Sequence, residues 1–252
     1  MLLRLDRLLC ECDGRLTRKQ AKDLLRSGAV TIDGVVCKQG DRKVDPSVSE
    51  VAVSGRVCSY AENHYFVLHK PSGVITATED TRQKTVLDLL GEDKKKNLFP
   101  VGRLDIDTEG LLIITDDGPL GHALTSPAKH VKKTYLATCT GVFTETELAK
   151  LRNGVDLGDF TSAPAQAQIL ETGDLTTVLA ITITEGRFHQ VKRMVAAVGG
   201  EVTKLKRVRM GGLWLPNDLP VGEHREYERE ELLALLRQDE TIDEERLLRS
   251  YL

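Results

Sequence analysis

The sequence has no long hydrophobic run, although 40% of its 252 residues are hydrophobic. Its apolar segments, such as LIITDDG and LLALLRQ, are far shorter than the roughly 20 apolar residues that span a bilayer as a helix. The sequence also has no basic and then apolar leader that ends in small residues. We therefore expect a soluble protein that is not exported, acts in the cytoplasm and has no membrane partner.

Cysteine is scarce and scattered. An odd number of cysteines argues against a small secreted fold held by disulfides, and zinc sites need paired CxxC or histidine spacings that this sequence lacks. The single Cys-x-Cys pair is a weak sign of a metal site, so we expect reduced, partly buried thiols and no bound metal. The five cysteines are Cys10, Cys12, Cys37, Cys58 and Cys139.

Neither sign of charge dominates, since the net charge is only -3. The charge is nevertheless unevenly distributed along the chain. Residues 186–209 contain seven Lys or Arg and one acid, whereas residues 223–252 contain ten Asp or Glu and five Lys or Arg. A polyanion responds to such local patches rather than to the net charge.

Residues 1–58 have the pattern of a small separate domain. Leucines at helical spacing predict a first helix, and Thr17 is placed to cap a second helix that reaches Ser27 and ends at Gly28. Two short strands are predicted around the Asp33-Gly34 turn. On the second helix Arg18, Lys22 and Arg26 are four residues apart and share one face. This basic stripe fits either a solvated surface or a phosphate-binding surface.

Residues 59–252 are predicted to form a second, larger domain. Strands joined by local turns outnumber strand–helix–strand repeats, which favours an α+β fold with a mostly antiparallel mixed sheet. Strands are predicted at HYFVLHK, GVITATED, GLLIIT, KKTYLATCT, 165–170, 175–184 and LKRVRMGGLWL. Helices are predicted at TVLDLL, TETELAKLRN and RFHQVKRMVAAVGG, and at the acidic C-terminal segment REYEREELLALLRQ.

Three local signals sharpen these predictions. Thr85 is expected to cap the TVLDLL helix, and Thr144 with Glu147 has the spacing of a capping box. Asp117-Gly118 is expected to form a turn behind the buried strand GLLIIT.

The segment VGRLDIDTEGLLIITDDG, residues 101–118, is unusually acidic. A calcium loop is disfavoured because Leu111 and Ile113 occupy positions where ligands are required. Asp105 and Asp107 could suggest the paired carboxylates of a glycoside hydrolase. We expect two acids so close on an extended turn to point in opposite directions, which weakens that hypothesis. The acids of the segment are Asp105, Asp107, Glu109, Asp116 and Asp117.

The helix predicted near residues 187–198 has two different faces. Apolar residues at i, i+3, i+4 and i+7, starting at Val191, are expected to pack on the core. His189, Lys192 and Arg193 share another face. This second face fits either exposed surface cations or basic groups that line a cleft.

Several long motifs occur together in one order. RLDRLL and TRKQAKDLLRSGAVTIDG, over about residues 2–50, resemble the alpha-L (ribosomal S-four-type) RNA-binding domain. HKPSGVITATED, GRLDIDTEGLLIITDDG, ALTSP, KKTYLATCT and TEGRFHQVKRMVAAVGG resemble the signatures of RsuA-type ribosomal RNA pseudouridine synthases, whose members also carry an alpha-L domain. The resemblance spans nearly the whole chain. The TDDG and TSP motifs resemble the family members that act on small-subunit ribosomal RNA more closely than those that act on large-subunit ribosomal RNA.

This resemblance implies an isomerase that converts uridine in ribosomal RNA to pseudouridine without a cofactor or metal. Asp105 matches the catalytic aspartate, and Lys192 the basic residue that keeps this carboxylate ionised where burial alone would favour the neutral form. Tyr135 matches the tyrosine that stacks on the uracil, and Arg103 the arginine that holds the RNA open. Arg193 is expected to contact phosphate. The alpha-L resemblance assigns RNA binding to Arg4, Arg18, Lys19, Lys22 and Arg26.

The sequence therefore predicts a monomeric enzyme that acts on 16S ribosomal RNA and uses a flipped-out uridine. Three alternatives stay open. The chain could modify 23S ribosomal RNA, or bind ribosomal RNA as an assembly factor without catalysis. It could also use Asp105 as a nucleic-acid glycosidase that releases a base to water.

Overall fold

The computed structural model describes residues 2–12, 16–58, 60, 63–93, 97–141, 143–238 and 244–252. These residues form two compact units, Met1–Glu62 and Asn63–Leu252. The domain boundary predicted after residue 58 lies near this division, next to residues 59, 61 and 62, which lie outside the described residues.

The described residues of the first unit form two helices and six short strands. They are β1 (Leu3–Arg4), α1 (Leu5–Cys12), α2 (Arg18–Ser27), β2 (Val30–Ile32), β3 (Val35–Val36), β4 (Lys43–Val44), β5 (Val51–Val53) and β6 (Arg56–Val57). A four-stranded sheet has the order β3-β2-β5-β6, and β1 pairs with β4. Leu5, Leu8 and Leu9 of α1 are buried in the core of this unit with Ala21 and Leu25 of α2.

The sequence-based predictions for α2 and the following hairpin are confirmed. The Thr17 hydroxyl accepts a hydrogen bond from the Gln20 amide, while the Gln20 side chain accepts one from the Thr17 amide. Gly28 ends the helix in the left-handed region at a φ of 78°. Asp33 and Gly34 have φ values of 50° and 80°, as a two-residue hairpin turn requires.

The second unit is built on one large sheet. Its first half contains β7 (Tyr65–Lys70), a 3₁₀ helix (Asp88–Asp93), β8 (Phe99–Pro100), β9 (Thr108–Thr115), α3 (Gly118–Thr125), a 3₁₀ helix (Pro127–Lys129), β10 (Lys133–Thr140) and α4 (Glu145–Asn153). Its second half contains β11 (Gln166–Thr172), β12 (Thr176–Ile183), α5 (Gln190–Ala197), β13 (Glu201–Met210), β14 (Leu213–Trp214), β15 (His224–Glu226), α6 (Arg229–Arg237) and α7 (Glu244–Arg249).

The strand order is β11-β12-β10-β13-β9-β7-β15, with β14 beside β13 and β8 beside β9. Among these pairs, β9 and β13 run parallel and the others run antiparallel. The predicted α+β fold with a mostly antiparallel mixed sheet is therefore confirmed. The residues of β9 are buried except for Glu109, which agrees with the predicted buried strand.

Gly110 permits the close approach of β9 and β13. It has a φ of 107°, and a Cβ atom at this position would lie 2.1 Å from the Arg207 carbonyl oxygen. No other amino acid fits there without separating the two strands. The glycine thus secures the parallel pairing of Thr108–Gly110 within the acidic segment, directly after Asp105 and Asp107.

Three local predictions are corrected. Residues 74–80 form no strand beyond a single bridge between Ile75 and Thr85. Thr85 does bond to Asp88, but the helix after it is a 3₁₀ helix that begins only at Asp88. Asp117 does not lead into a simple turn. Its side chain caps α3, whose first turn contains a proline.

The remaining helix predictions agree better with the structure. The Thr144–Glu147 capping box is present at the start of α4, and Gly154 follows its end. The helix predicted near residues 187–198 begins at Gln190 and ends at Ala197. The acidic C-terminal segment forms α6 only from Arg229, because Arg225 and Glu226, which were predicted to be helical, belong to β15. Among the described helices none combines the length and apolarity needed to cross a membrane.

Candidate active site

The backbone before β9 is held in place by β7 and the segment after it. The Thr76 hydroxyl donates to the Leu104 carbonyl at 2.7 Å and accepts from the Leu104 amide at 3.2 Å. The Gly73 amide donates to the Ile106 carbonyl at 2.8 Å. These bonds fix the residues on both sides of Asp105, so its carboxylate is presented on an ordered turn.

Lys70 supports the same turn from inside the unit. Its side chain is fully buried, and its ammonium donates to the carbonyls of Pro71, Ile106 and Thr108 at 3.0, 3.3 and 3.0 Å. Burial lowers the pKa of Lys70 to about 8, although the nearby carboxylates of Asp107 and Asp105 oppose this shift. This buried cation thus holds the backbone around Asp105.

The Asp105 carboxylate lies between two basic side chains. Its Oδ2 atom is 3.3 Å from Lys192 Nζ, and its Oδ1 atom is 3.5 Å from His189 Nε2. The Asp105 side chain is 27% exposed, so solutes can reach it while most of its surface is covered. The structure therefore brings together Asp105 and Lys192, which are 87 residues apart in the sequence.

Asp107 shares the ammonium of Lys192. Its Oδ1 atom lies 2.5 Å from Lys192 Nζ, and this hydrogen bond lowers the pKa of Asp107. The expectation that Asp105 and Asp107 point in opposite directions is wrong. Residues two apart on an extended segment lie on the same side, and the turn closed by the Thr108 amide and the Asp105 carbonyl keeps both near Lys192.

The segment before α5 is fixed by Gln190, which is 3% exposed. The side-chain Nε2 of Gln190 donates to Glu185 Oε1 at 2.5 Å. The side-chain Oε1 of Gln190 accepts from the Arg187 backbone amide at 2.9 Å. His189 precedes the helix in the left-handed region at a φ of 49°, an uncommon conformation for a residue other than glycine. This conformation directs the His189 ring towards Asp105.

Tyr135 and Arg103 border the same cavity as Asp105. Tyr135 lies on β10 with 8% of its surface exposed, and Leu205 and Ile183 are among the apolar residues of the same cavity. Arg103 is exposed at the mouth. A wider groove with a volume of about 700 Å³ adjoins the cavity and also contains Asp105, within the range of roughly 300–1,000 Å³ usual for ligand sites.

Arg193 does not join this cluster. Its guanidinium contacts the carboxylate of Asp159 and donates to the Leu157 carbonyl at 2.6 Å, and it also lies over the Phe160 ring. The expected contact of Arg193 with phosphate stays a prediction, and here this side chain joins α5 to the loop after α4.

The basic residues predicted in the first unit are on its surface. Arg18, Lys19, Lys22 and Arg26 are exposed along α2. Arg26 has one weak ion pair, with Asp23 at 3.4 Å. Arg4 differs because it lies on β1 and makes a two-pronged hydrogen bond to Asp6 at 2.8 and 3.1 Å.

Sequence reasoning missed Lys70, Thr76 and Gln190 as parts of this site. Lys70 and Thr76 belong to the HKPSGVITATED motif, and their place in this family signature was the sequence signal that could have identified them as parts of the site. Gln190 lies within TEGRFHQVKRM in the same way. Lys70 and Thr76 have no spacing that reveals their contacts with residues 104–108, because only the fold brings these segments together. Gln190 differs, since its partners Arg187 and Glu185 are three and five residues away.

Comparisons with known proteins agree with this architecture. A family model described as RNA pseudouridylate synthase matches residues 64–197, and a model of the S4 domain matches residues 3–48. The chain therefore belongs to the RNA pseudouridine synthase family, whose members are isomerases, and it carries an RNA-binding S4 domain. The resemblance inferred from the sequence motifs is confirmed.

Individual relatives share almost the full length of the chain. An RNA pseudouridine synthase of Bacillus subtilis (strain 168), YtzG, described as uncharacterized, is 46% identical over 92% of this chain and 98% of that protein. Ribosomal small subunit pseudouridine synthase A of Escherichia coli (strain K12) is 38% identical over 93% of this chain and all of that protein. A crystal structure of a pseudouridylate synthase superposes with a TM-score of 0.62 at 36% identity, covering 92% of this chain and 99% of that one.

Proposed function

We propose that this enzyme isomerises a specific uridine of small-subunit (16S) ribosomal RNA to pseudouridine. The name of the Escherichia coli relative supports this RNA as the substrate. The S4 domain supports structured RNA as the ligand. An enzyme with this substrate acts in the cytoplasm, and we expect it to act as a monomer.

The reaction rearranges one nucleotide and adds nothing to it. The bond between N1 of uracil and C1′ of ribose breaks, the uracil turns, and C5 forms a new bond to the same C1′. The proton on C5 then leaves, and N1 ends with a proton. The site must therefore hold the detached uracil, exclude water and accept the C5 proton.

The proposal depends on the Asp105 carboxylate, which lies 3.3 Å from Lys192 in a cavity shared with Tyr135. An ionised carboxylate is the group expected to act as the nucleophile. Lys192 and His189 are both placed to stabilise its negative charge, and Leu205 and Ile183 form an apolar wall of the same cavity. This arrangement is compatible with attack on the sugar, attack on the base, or assistance to glycal formation.

Tyr135 and Arg103 are assigned to handling the nucleotide. The Tyr135 ring is suited to stack on the uracil and to place its hydroxyl near C5. Arg103 is exposed at the mouth, where a cationic side chain can occupy the space left by an extruded nucleotide. Arg193 contributes to phosphate binding in this proposal only if RNA displaces its contact with Asp159.

The first unit is assigned to RNA docking. Arg18, Lys19, Lys22 and Arg26 present positive charge to solvent along α2, as phosphate contacts require. Arg4 has an Asp6 partner, so we expect a smaller contribution from it.

The experiment compares Asp105→Asn with Asp107→Asn, which removes a neighbouring carboxylate from the same turn. Small-subunit and large-subunit ribosomal RNA transcripts are incubated with each protein, and pseudouridine is mapped by carbodiimide primer stops. We expect Asp105→Asn to lose all detectable product while RNA binding is nearly unchanged. Asp107→Asn should retain measurable turnover because Asp105 and Lys192 remain.

Each alternative function gives a different result. Pseudouridine in the large-subunit transcript would identify 23S ribosomal RNA as the substrate. Free uracil would indicate a glycosidase, and tight binding of the wild-type protein without any product would indicate an assembly factor. Product formed by Asp105→Asn would remove this residue from the mechanism.

A further inference from the structure

Phe188 is an exposed aromatic residue beside the candidate site. Its side chain is 74% exposed, although a phenylalanine normally gains stability from burial. It lines the groove that contains Asp105, and Ile106, which is 45% exposed, lines the same groove. Two exposed apolar side chains next to a polar site indicate a surface that contacts a ligand.

The Phe188 ring is held by a stack on His189. The two ring centroids are 3.7 Å apart and the planes differ by 17°. This separation is close to the rise of about 3.4 Å per base along a nucleic-acid strand. The inner face of Phe188 is therefore covered by a ring that itself lies 3.5 Å from Asp105.

The backbone keeps this stack in place. His189 is fixed in the left-handed region, which costs free energy and persists only where surrounding contacts enforce it. The bonds of Gln190 to Glu185 and to the Arg187 amide supply that enforcement. The backbone that carries the two rings is thus fixed by neighbouring contacts.

The charge around the groove fits an RNA strand. Arg103, Arg187 and Lys192 line it together with the two aspartates of the turn. The Arg187 guanidinium lies 4.1 Å from the centre of the Phe160 ring, which holds it beside the groove. A base platform with adjacent cations is the arrangement that binds single-stranded nucleic acid.

We propose that the open face of Phe188 stacks on the base of the nucleotide next to the extruded uridine. This inference rests on the proposed function, since it takes the uridine to be held at Asp105. The His189–Phe188 pair then takes the place of the stacking partner that this neighbour loses when the uridine is extruded. Phe188 would position the strand and would favour a purine neighbour, which offers the larger stacking surface.

The experiment uses a short oligoribonucleotide that spans the mapped uridine, with an abasic ribose at either flank in separate substrates. We expect Phe188→Ala to lower kcat/KM about tenfold, mainly through KM, since base–aromatic stacking contributes about this much. Phe188→Tyr should restore the rate. Leu175→Ala removes another exposed apolar side chain, 84% exposed between β11 and β12, and should match the wild-type protein.

Combining the Phe188→Ala variant with the two abasic substrates identifies which flanking base stacks on Phe188. For the wild-type enzyme, removing the stacked base should cost about tenfold at one flank. For Phe188→Ala the same removal should cost nothing further, because the ring that the base would stack on is already absent. The inference is overturned if Phe188→Ala equals the wild type, or if its effect multiplies fully with the abasic effect at both flanks.

A binding measurement separates this inference from the proposed function. In the Asp105→Asn background, 2-aminopurine at the stacked flank should be quenched on binding, and Phe188→Ala should abolish the quenching. Quenching that depends on Phe188 without any isomerisation by the wild-type enzyme would overturn the proposed reaction alone. Isomerisation without such quenching would overturn the stacking interaction alone.

Discussion

The helices α2 and α5 both carry basic residues, yet their surroundings differ. On α2, Arg18, Lys19, Lys22 and Arg26 are exposed, and the ion pair of Arg26 with Asp23 is long and solvated. On α5, Lys192 lies between two carboxylates with 22% of its side chain exposed. Arg193 of the same helix is bound to Asp159.

This difference separates two uses of positive charge. Exposed cations interact with a polyanion at long range and are screened by salt. A partly buried cation beside a carboxylate is screened less and controls one reacting group. Both helices carry several basic residues, so the acids supplied by other segments, rather than the basic residues themselves, determine which use applies.

Of the changes that test this comparison, Lys192→Met is expected to have the largest effect. This change leaves Asp105 and Asp107 together without their shared cation, so the negative charge on Asp105 is less stabilised. We expect kcat to fall by about 100-fold, the size typical of losing one preorganised electrostatic partner. Single-turnover kinetics measure the chemical step, and Lys192→Arg should retain part of the rate. Unchanged kcat in Lys192→Met would contradict the assigned pairing.

A smaller effect, confined to binding, is expected for α2. Replacing Arg18, Lys19, Lys22 and Arg26 with glutamine should weaken RNA binding and flatten its salt dependence, by roughly 0.7–0.9 in log–log slope for each phosphate that is no longer neutralised. Single-turnover kcat at saturating protein should stay unchanged. The control exchanges Arg and Lys at these positions and preserves charge. A glutamine variant with wild-type affinity and slope would remove α2 from RNA docking.

The smallest effect concerns stability and Lys70. An unfolded lysine keeps its proton up to its ordinary pKa of 10.5, whereas folded Lys70 has a pKa of about 8. Between these pH values the unfolded state binds more protons, so this group makes the free energy of unfolding increase with pH. The Lys70→Met variant lacks this pH-dependent contribution to the free energy of unfolding.

Urea denaturation of both proteins between pH 7.5 and 10.5 measures this difference. The free energy of unfolding of the wild-type protein minus that of Lys70→Met should increase as the pH rises across this range. Parallel curves would show that the pKa of Lys70 is not lowered in the fold.

The parts of the fold that sequence predicted well depend on local chemistry. The Thr17 cap, the Asp33-Gly34 hairpin and the Thr144–Glu147 capping box each involve residues at most three positions apart. The two-faced pattern of α5 also held, since Val191, Met194 and Val195 are buried. Motif resemblance identified the family. Asp105 and Tyr135 line one cavity, and Lys192 lies 3.3 Å from Asp105 in the adjoining groove, while the catalytic roles of all three stay predictions.

Several of the predictions that failed involve contacts between distant segments. Residues 74–80 have the composition of a strand, but Thr76 is used to hold Leu104 instead. Lys70 ends a strand where a surface charge would be usual, and only the fold shows that three carbonyls surround it. The second partner of Lys192 was missed because Asp107 was expected to turn away. Sequence periodicity carries no information about such pairings.

The sheet that presents Tyr135 to the candidate site has a second face, and α7 covers part of it. Leu248 is buried against Leu136, Ala180 and Val208, and Arg209 pairs with Glu244 at 3.0 Å. A chain shortened before residue 244 would keep all the catalytic and RNA-contacting groups assigned above. It would also expose the apolar side chains that α7 covers on the other face of the sheet. The first effect of such a deletion would therefore be a loss of solubility and not a loss of catalysis.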